Sequence, residues 1–131
     1  MTEAAILCVD DETVILETLQ EQISRHFGEQ FVYEAAESAE EALEILEELD
    51  EEGVKIVVIV SDWLMPGMRG DEFLVQVHQQ FGDIKTIMLT GQADELAIQR
   101  AKKEANLYSC IYKPWREAEL IKIITTALES V

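Results

Sequence analysis

Basic residues are scarce in this chain: 10 Lys and Arg stand against 27 Asp and Glu, for a formal charge of -17. Affinity for DNA or RNA phosphates comes largely from Lys and Arg, so direct nucleic-acid binding is disfavoured. Such a surface suits a soluble protein that meets cations or basic partners. Proline and glycine are also few, 2 and 6 in 131 residues, which argues against disordered and collagen-like chains. No apolar run reaches the ~20 residues of a membrane helix. The first residues, MTEAAILCVDD, lack the basic flank of a signal peptide, so the expected location is cytoplasmic. There are 2 cysteines, Cys8 and Cys110, each in an apolar strand-like run and far apart in sequence. In an unexported protein such thiols are expected reduced and buried.

What is present is an alternation of short branched runs with longer periodic ones. AAILCV (4–9) reads as a buried strand and residues 13–27 as an amphipathic helix, with Ile15, Leu19 and Ile23 in line. FVYEAA (31–36) is a second strand. Ser38 with Glu41 forms a capping box that opens a helix carrying Leu43, Leu46 and Leu49 on one side. KIVVIVS (55–61) does not alternate, so this strand is buried on both faces. Residues 71–81 form a helix with Phe73, Leu74 and Val77 inward, and IKTIMLT (84–90) a fourth strand. A helix from Gln92 to Ala105, a short strand SCIY (109–112) and a helix from Arg116 to Ser130 complete the pattern. Strands alternating with helices predict an α/β fold, a single doubly wound five-stranded parallel sheet covered on both sides by five helices. No linker or internal repeat divides residues 1–131, which read as one domain, either alone or as the first of a longer protein.

In such sheets chemistry gathers at the carboxyl ends of the strands. The first strand ends in Asp10-Asp11, the third in Asp62, the fourth in Thr90 and the fifth in Lys113. Taken singly, each has an ordinary role, since an Asp at a strand end is usually a cap or turn residue and Thr-Gly and Lys-Pro usually mark turns and loops. Their joint occurrence is informative. Three carboxylates converging on one edge repel one another unless a cation is present. Hard oxygen ligands suit magnesium, and magnesium suits phosphoryl transfer. Lys113 can hold one phosphoryl oxygen as a point charge, and Thr90 can donate a hydrogen bond to another. Asp62 is then the nucleophile, attacking phosphorus to form an acyl phosphate. Proline after Lys113 allows a cis peptide bond that aims the ammonium inward.

With these residues in place, the chain resembles the receiver domain of two-component response regulators over almost its full length. The matching motifs are Asp10-Asp11, SDWLMPGMRG with Asp62, Met65, Pro66, Met68 and Gly70, then Thr90-Gly91 and Lys113-Pro114-Trp115. The resemblance implies a flavodoxin-like sheet in the order 2-1-3-4-5. It implies that Asp62 accepts a phosphoryl group from a sensor histidine kinase or a histidine phosphotransfer protein. Asp11, Asp62 and the Leu64 main-chain carbonyl would ligate Mg2+, with Asp10 acting through water, and Thr90 and Lys113 would bind the phosphoryl group. The fourth helix, fifth strand and fifth helix would carry the output, and phosphorylation-dependent homodimerisation through that face fits the same reading. Two positions depart from the usual pattern. Cys110 stands where receivers usually carry Tyr or Phe, flanked by Tyr108 and Tyr112, which a regular strand would place on the same side. Leu64, two residues past Asp62, cannot position an attacking water by hydrogen bonding, which predicts slow self-dephosphorylation. The KPW ending resembles receivers attached to signalling enzymes.

Other readings fit less well. A flavodoxin would bind phosphate in the first strand-to-helix loop, but VDDETV there repels an anion. The glycine fingerprint of a dinucleotide-binding domain is absent from the sequence. A magnesium-dependent aspartyl phosphatase shares the Asp and Lys, yet normally needs a second acid where Leu64 stands. A receiver-fold binding module not switched by phosphate would have no need of the full acceptor set. His26 and His78 lack the glycine motif that would accompany a kinase and read as ordinary helix residues.

Overall fold

The computed structural model describes residues 3–91 and 95–129. Among them run five strands, β1 (Ala4–Val9), β2 (Val32–Ala36), β3 (Lys55–Asp62), β4 (Lys85–Thr90) and β5 (Ser109–Tyr112). Five helices alternate with these: α1 (Thr13–Phe27), α2 (Ala39–Glu51), α3 (Gly70–Phe81), α4 (Glu95–Glu104) and α5 (Glu117–Glu129). The strands are all parallel and lie in the order β2-β1-β3-β4-β5. The expected starts of the fourth helix at Gln92 and end of the fifth at Ser130 lie outside the described residues.

Alternation along the strands divides the interior into two layers. Ala5, Leu7 and Val9 of β1 pack with Ala42 and Leu46 of α2, Phe73 and Leu74 of α3, and Ile98 and Ala101 of α4. Ile6 and Cys8 face the other way, against Leu16, Leu19 and Ile23 of α1 and Leu120 and Ile124 of α5. Burying each such Leu or Ile stabilises the fold by about 1.5–3 kcal/mol relative to exposure. β3 breaks the period once. Ala5 pairs with Ile56 but Ile6 with Val58, so Val57 is an extra residue. Ile56 and Ile59, three apart, therefore share the first layer, while Val58 and Val60 join the second.

α1 and α5 are also joined at the surface. The Trp115 indole N–H donates to Gln22 at 2.8 Å, and Arg25 pairs with Glu117 at 2.6 Å. Tyr108 departs from the sequence expectation. It precedes β5, where strand alternation has not begun, and it packs on the α1/α5 layer. Cys110 packs, half-buried, on the opposite layer, and Tyr112 is exposed.

Candidate functional site

The switch in strand order beside β1 brings the carboxyl ends of β1 and β3 together. There Asp10, Asp11 and Asp62 each offer an oxygen, and these atoms all lie within 4.8 Å of one another. Asp10 is fully buried, Asp62 is 5% exposed and Asp11 faces solvent. β5 delivers Lys113 to the same edge through a cis Lys113-Pro114 peptide. Its ammonium stands 3.0 Å from Asp62 Oδ1 and 3.2 Å from Asp10 Oδ2. Asp10 Oδ1 accepts from the Glu12 N–H at 2.8 Å, so both Asp10 oxygens are engaged within the protein.

The electrostatics follow from that census. Burial pushes the Asp62 carboxyl above its ordinary value. The charges of Asp10 and Asp11 add to the rise, and the Lys113 hydrogen bond and charge oppose it without cancelling it. Burial alone would lower the Lys113 ammonium, but its bonds to and attraction by Asp62 and Asp10 outweigh this and raise it. Both shifts express one fact: Lys113 serves two buried carboxylates, with the charge of Asp11 beside them. The donor set fits a hard divalent cation, with Asp11 open to solvent, Asp62 alongside it, and Asp10 already committed to other partners.

Thr90 ends β4 at this edge, 1% exposed, and its hydroxyl has no hydrogen-bond partner among the described residues. Its carbonyl accepts from the Lys113 N–H at 2.8 Å, so the two residues are bonded through the main chain. Leu64 is 65% exposed in the loop after β3. That loop returns sharply. Gly70 donates to the Trp63 carbonyl at 2.7 Å, and a β-carbon at Gly70 would run into the Asp62 carbonyl and stand 2.8 Å from the Trp63 α-carbon. Only glycine permits this approach of α3 to β3.

Four of the five side chains expected from the sequence, Asp10, Asp11, Asp62 and Lys113, thus converge, with Lys113 touching Asp10 and Asp62, and Thr90 ends the neighbouring strand, joined to Lys113 through its main chain. A groove of about 560 Å³, lined in part by Lys55, His78, Lys85 and Tyr108, lies at the opposite, amino ends of the strands and takes no part. The thiols are packing groups: burial pushes Cys8 up to about 12, and burial also raises Cys110. Sequence reasoning missed Asp71, a carboxylate 1% exposed in the first turn of α3. Its signal was an acid three residues before the inward Leu74, on the helix face that turns to the core.

Comparison with known proteins agrees with this geometry. A family model described as the response regulator receiver domain matches residues 6–125. The hydrogenase transcriptional regulatory protein HoxA of Cupriavidus necator is 34% identical over 128 residues, covering 98% of this chain and 25% of that protein. The chain spans a quarter or less of the length of the curated relatives it matches. The signal receiver domain of an HD domain-containing protein from Pseudomonas fluorescens Pf-5 superposes with a TM-score of 0.85 at 31% identity, covering 97% of this chain and 95% of that one. A CheY-like receiver domain protein from Methanospirillum hungatei JF-1 gives a TM-score of 0.83 at 29% identity, with 98% and 95% covered. This family is regulatory rather than a group of multiple-turnover enzymes. With a match that takes in all four strand ends and a sheet of the same form, the chain belongs to the response regulator receiver domains of two-component systems.

Proposed function

We propose that Asp62 is the phosphoacceptor of this receiver, charged by a sensor histidine kinase or a histidine phosphotransfer protein in the cytoplasm. The observation that carries the reading is the Lys113 ammonium, 3.0 Å from Asp62 within a group of three carboxylates. In the step, an Asp62 oxygen forms a bond to phosphorus as the P–N bond of the phosphohistidine breaks. The bonding pair leaves with the imidazole nitrogen. Lys113 and the unpartnered Thr90 hydroxyl are the groups that receive the phosphoryl oxygens. Mg2+, held by Asp11, Asp62 and the Leu64 carbonyl and by Asp10 through water, would offset the charge that builds on those oxygens. Leu64 offers attacking water no hydrogen bond, so the acyl phosphate is long-lived.

The new charge and acceptor oxygens then bias two conformations of the domain. Changing their ratio from 1:99 to 99:1 takes about 5.5 kcal/mol of differential stabilisation. The test is mass spectrometry after treatment with acetyl phosphate and Mg2+. One phosphate per chain on Asp62, absent from Asp62→Asn, is the expected result. Trp63 adjoins the site, so its fluorescence in a Trp115→Phe background should respond to Mg2+ and then to beryllofluoride, a phosphoryl mimic. A chain that never gains mass, or a fluorescence response unchanged by Asp62→Asn, refutes the proposal.

A further inference from the structure

Asp71 lies outside the acidic edge, yet it is one of the most buried charged groups in the molecule. Two guanidinium groups flank it. Arg69 Nε is 3.5 Å from Oδ1, and Arg100 Nη1, on α4, is 3.8 Å from Oδ2. Neither carboxylate oxygen has a hydrogen-bond partner among the described residues. A carboxylate so placed has lost its water and gained only charge attraction, an unfavourable state. A charge-assisted N–H···O bond is about 2.7–2.9 Å long, so Arg100 stands roughly an ångström short of one. Arg100 Nε meanwhile donates to Glu104 at 2.9 Å, which leaves Nη1 turned to Asp71.

The two sides of this gap are anchored differently. Asp71 is tied to the acceptor strand, because the neighbouring Gly70 is bonded to Trp63 and closely abuts the Asp62 carbonyl. Arg100 rides on α4, which begins at Glu95, shortly after Thr90. A phosphoryl group on Asp62 would give the Thr90 hydroxyl the acceptor it lacks and draw the end of β4 toward β3. α4, packed beside α3, would be drawn with it.

We propose that Asp71 is a latch for α4: phosphorylation of Asp62 closes the Arg100–Asp71 contact to hydrogen-bond length and fixes α4 against the first turn of α3. Asp71 is thus a positioning residue, and its role rests on the phosphoacceptor reading of Asp62. The route needs no aromatic ring on β5, where Cys110 stands.

Hydrogen–deuterium exchange of the α4 peptide tests this, in wild type, Asp71→Asn and Arg100→Gln. Each is measured in Mg2+ with and without beryllofluoride, whose occupancy is read separately by Trp63 fluorescence in the Trp115→Phe background. Arg100 is 42% exposed, so its variant is expected to fold even if loss of the Asp71 charge disturbs the core. In wild type, beryllofluoride should slow α4 exchange several-fold. In both variants beryllofluoride should still bind, with the slowing largely lost. A purely structural role would instead speed exchange equally with and without the mimic, and that result overturns the latch. Undiminished slowing in both variants overturns it as well, while the phosphoacceptor reading stands. A wild type that does not bind beryllofluoride overturns that reading, and the latch with it.

Discussion

Asp62 ionises in surroundings that oppose its charge. Its carboxyl lies above the ordinary value of 3.8 because of burial first and the neighbouring acids second. The folded chain therefore keeps a proton on Asp62 to higher pH than the unfolded chain does. Stability is highest, as far as this group is concerned, below the unfolded value, and it falls as pH rises through the folded value. Asp62→Asn removes the titration while keeping the shape. In the absence of divalent cations, the melting temperature of Asp62→Asn should gain on wild type as pH climbs above 3.8 and stay higher at neutrality. A difference that does not vary with pH would show that the charge is not the cause. The acid itself was legible in the sequence because a branched run stops at it. Asp71 was overlooked, although its spacing from Leu74 places it on the inward face, because an acid in the first turn of a helix is also what the helix dipole favours.

At the scale of elements, α2 shows how local chemistry sets a boundary. The Ser38 hydroxyl accepts from the Glu41 N–H at 3.1 Å. The Glu41 carboxylate in turn accepts from the Glu37 N–H at 3.3 Å, one residue before the cap rather than at it. Ser38→Ala should cost about 1 kcal/mol, within a range of 0.5–2, measured by urea denaturation, with beryllofluoride binding unaffected. A loss near zero would mean that the Glu41–Glu37 bond alone holds the helix start. The capping box was readable from spacing, as were the strands, because runs such as IVVIV have no amphipathic alternative. The extra residue at Val57 was not readable. A strand buried on both faces carries no alternation against which a change of phase could be seen. Tyr108 was misplaced for a related reason: a two-residue period holds only inside the strand, and β5 begins one residue later.

For the whole molecule, the dominant quantity is a formal charge of -17. Mutual repulsion among surface acids opposes the compact state, and salt screens it over a Debye length of about 10 Å at 0.1 M. Raising NaCl from about 0.01 M to 0.15 M should therefore raise the melting temperature of wild type and Asp62→Asn alike. Mg2+ at matched ionic strength should add a further increment in wild type that is much smaller in Asp62→Asn, because it acts at the edge rather than on the whole surface. Equal increments would mean that Mg2+ acts only as salt. Layering was legible at this scale from the alternation of strands and helices, and sheet order through the resemblance, whereas the 3.0 Å approach of Lys113 to Asp62 depended on the folded path of β5. The main-chain bond from Lys113 to Thr90 has a consequence of its own. The two groups that would grip the phosphoryl oxygens are yoked, while Gly70 pins Asp62 as an anvil beneath them. A shift of either would strain its bond to the other, so the edge would answer a newly arrived group as one stroke rather than as two adjustments made in turn.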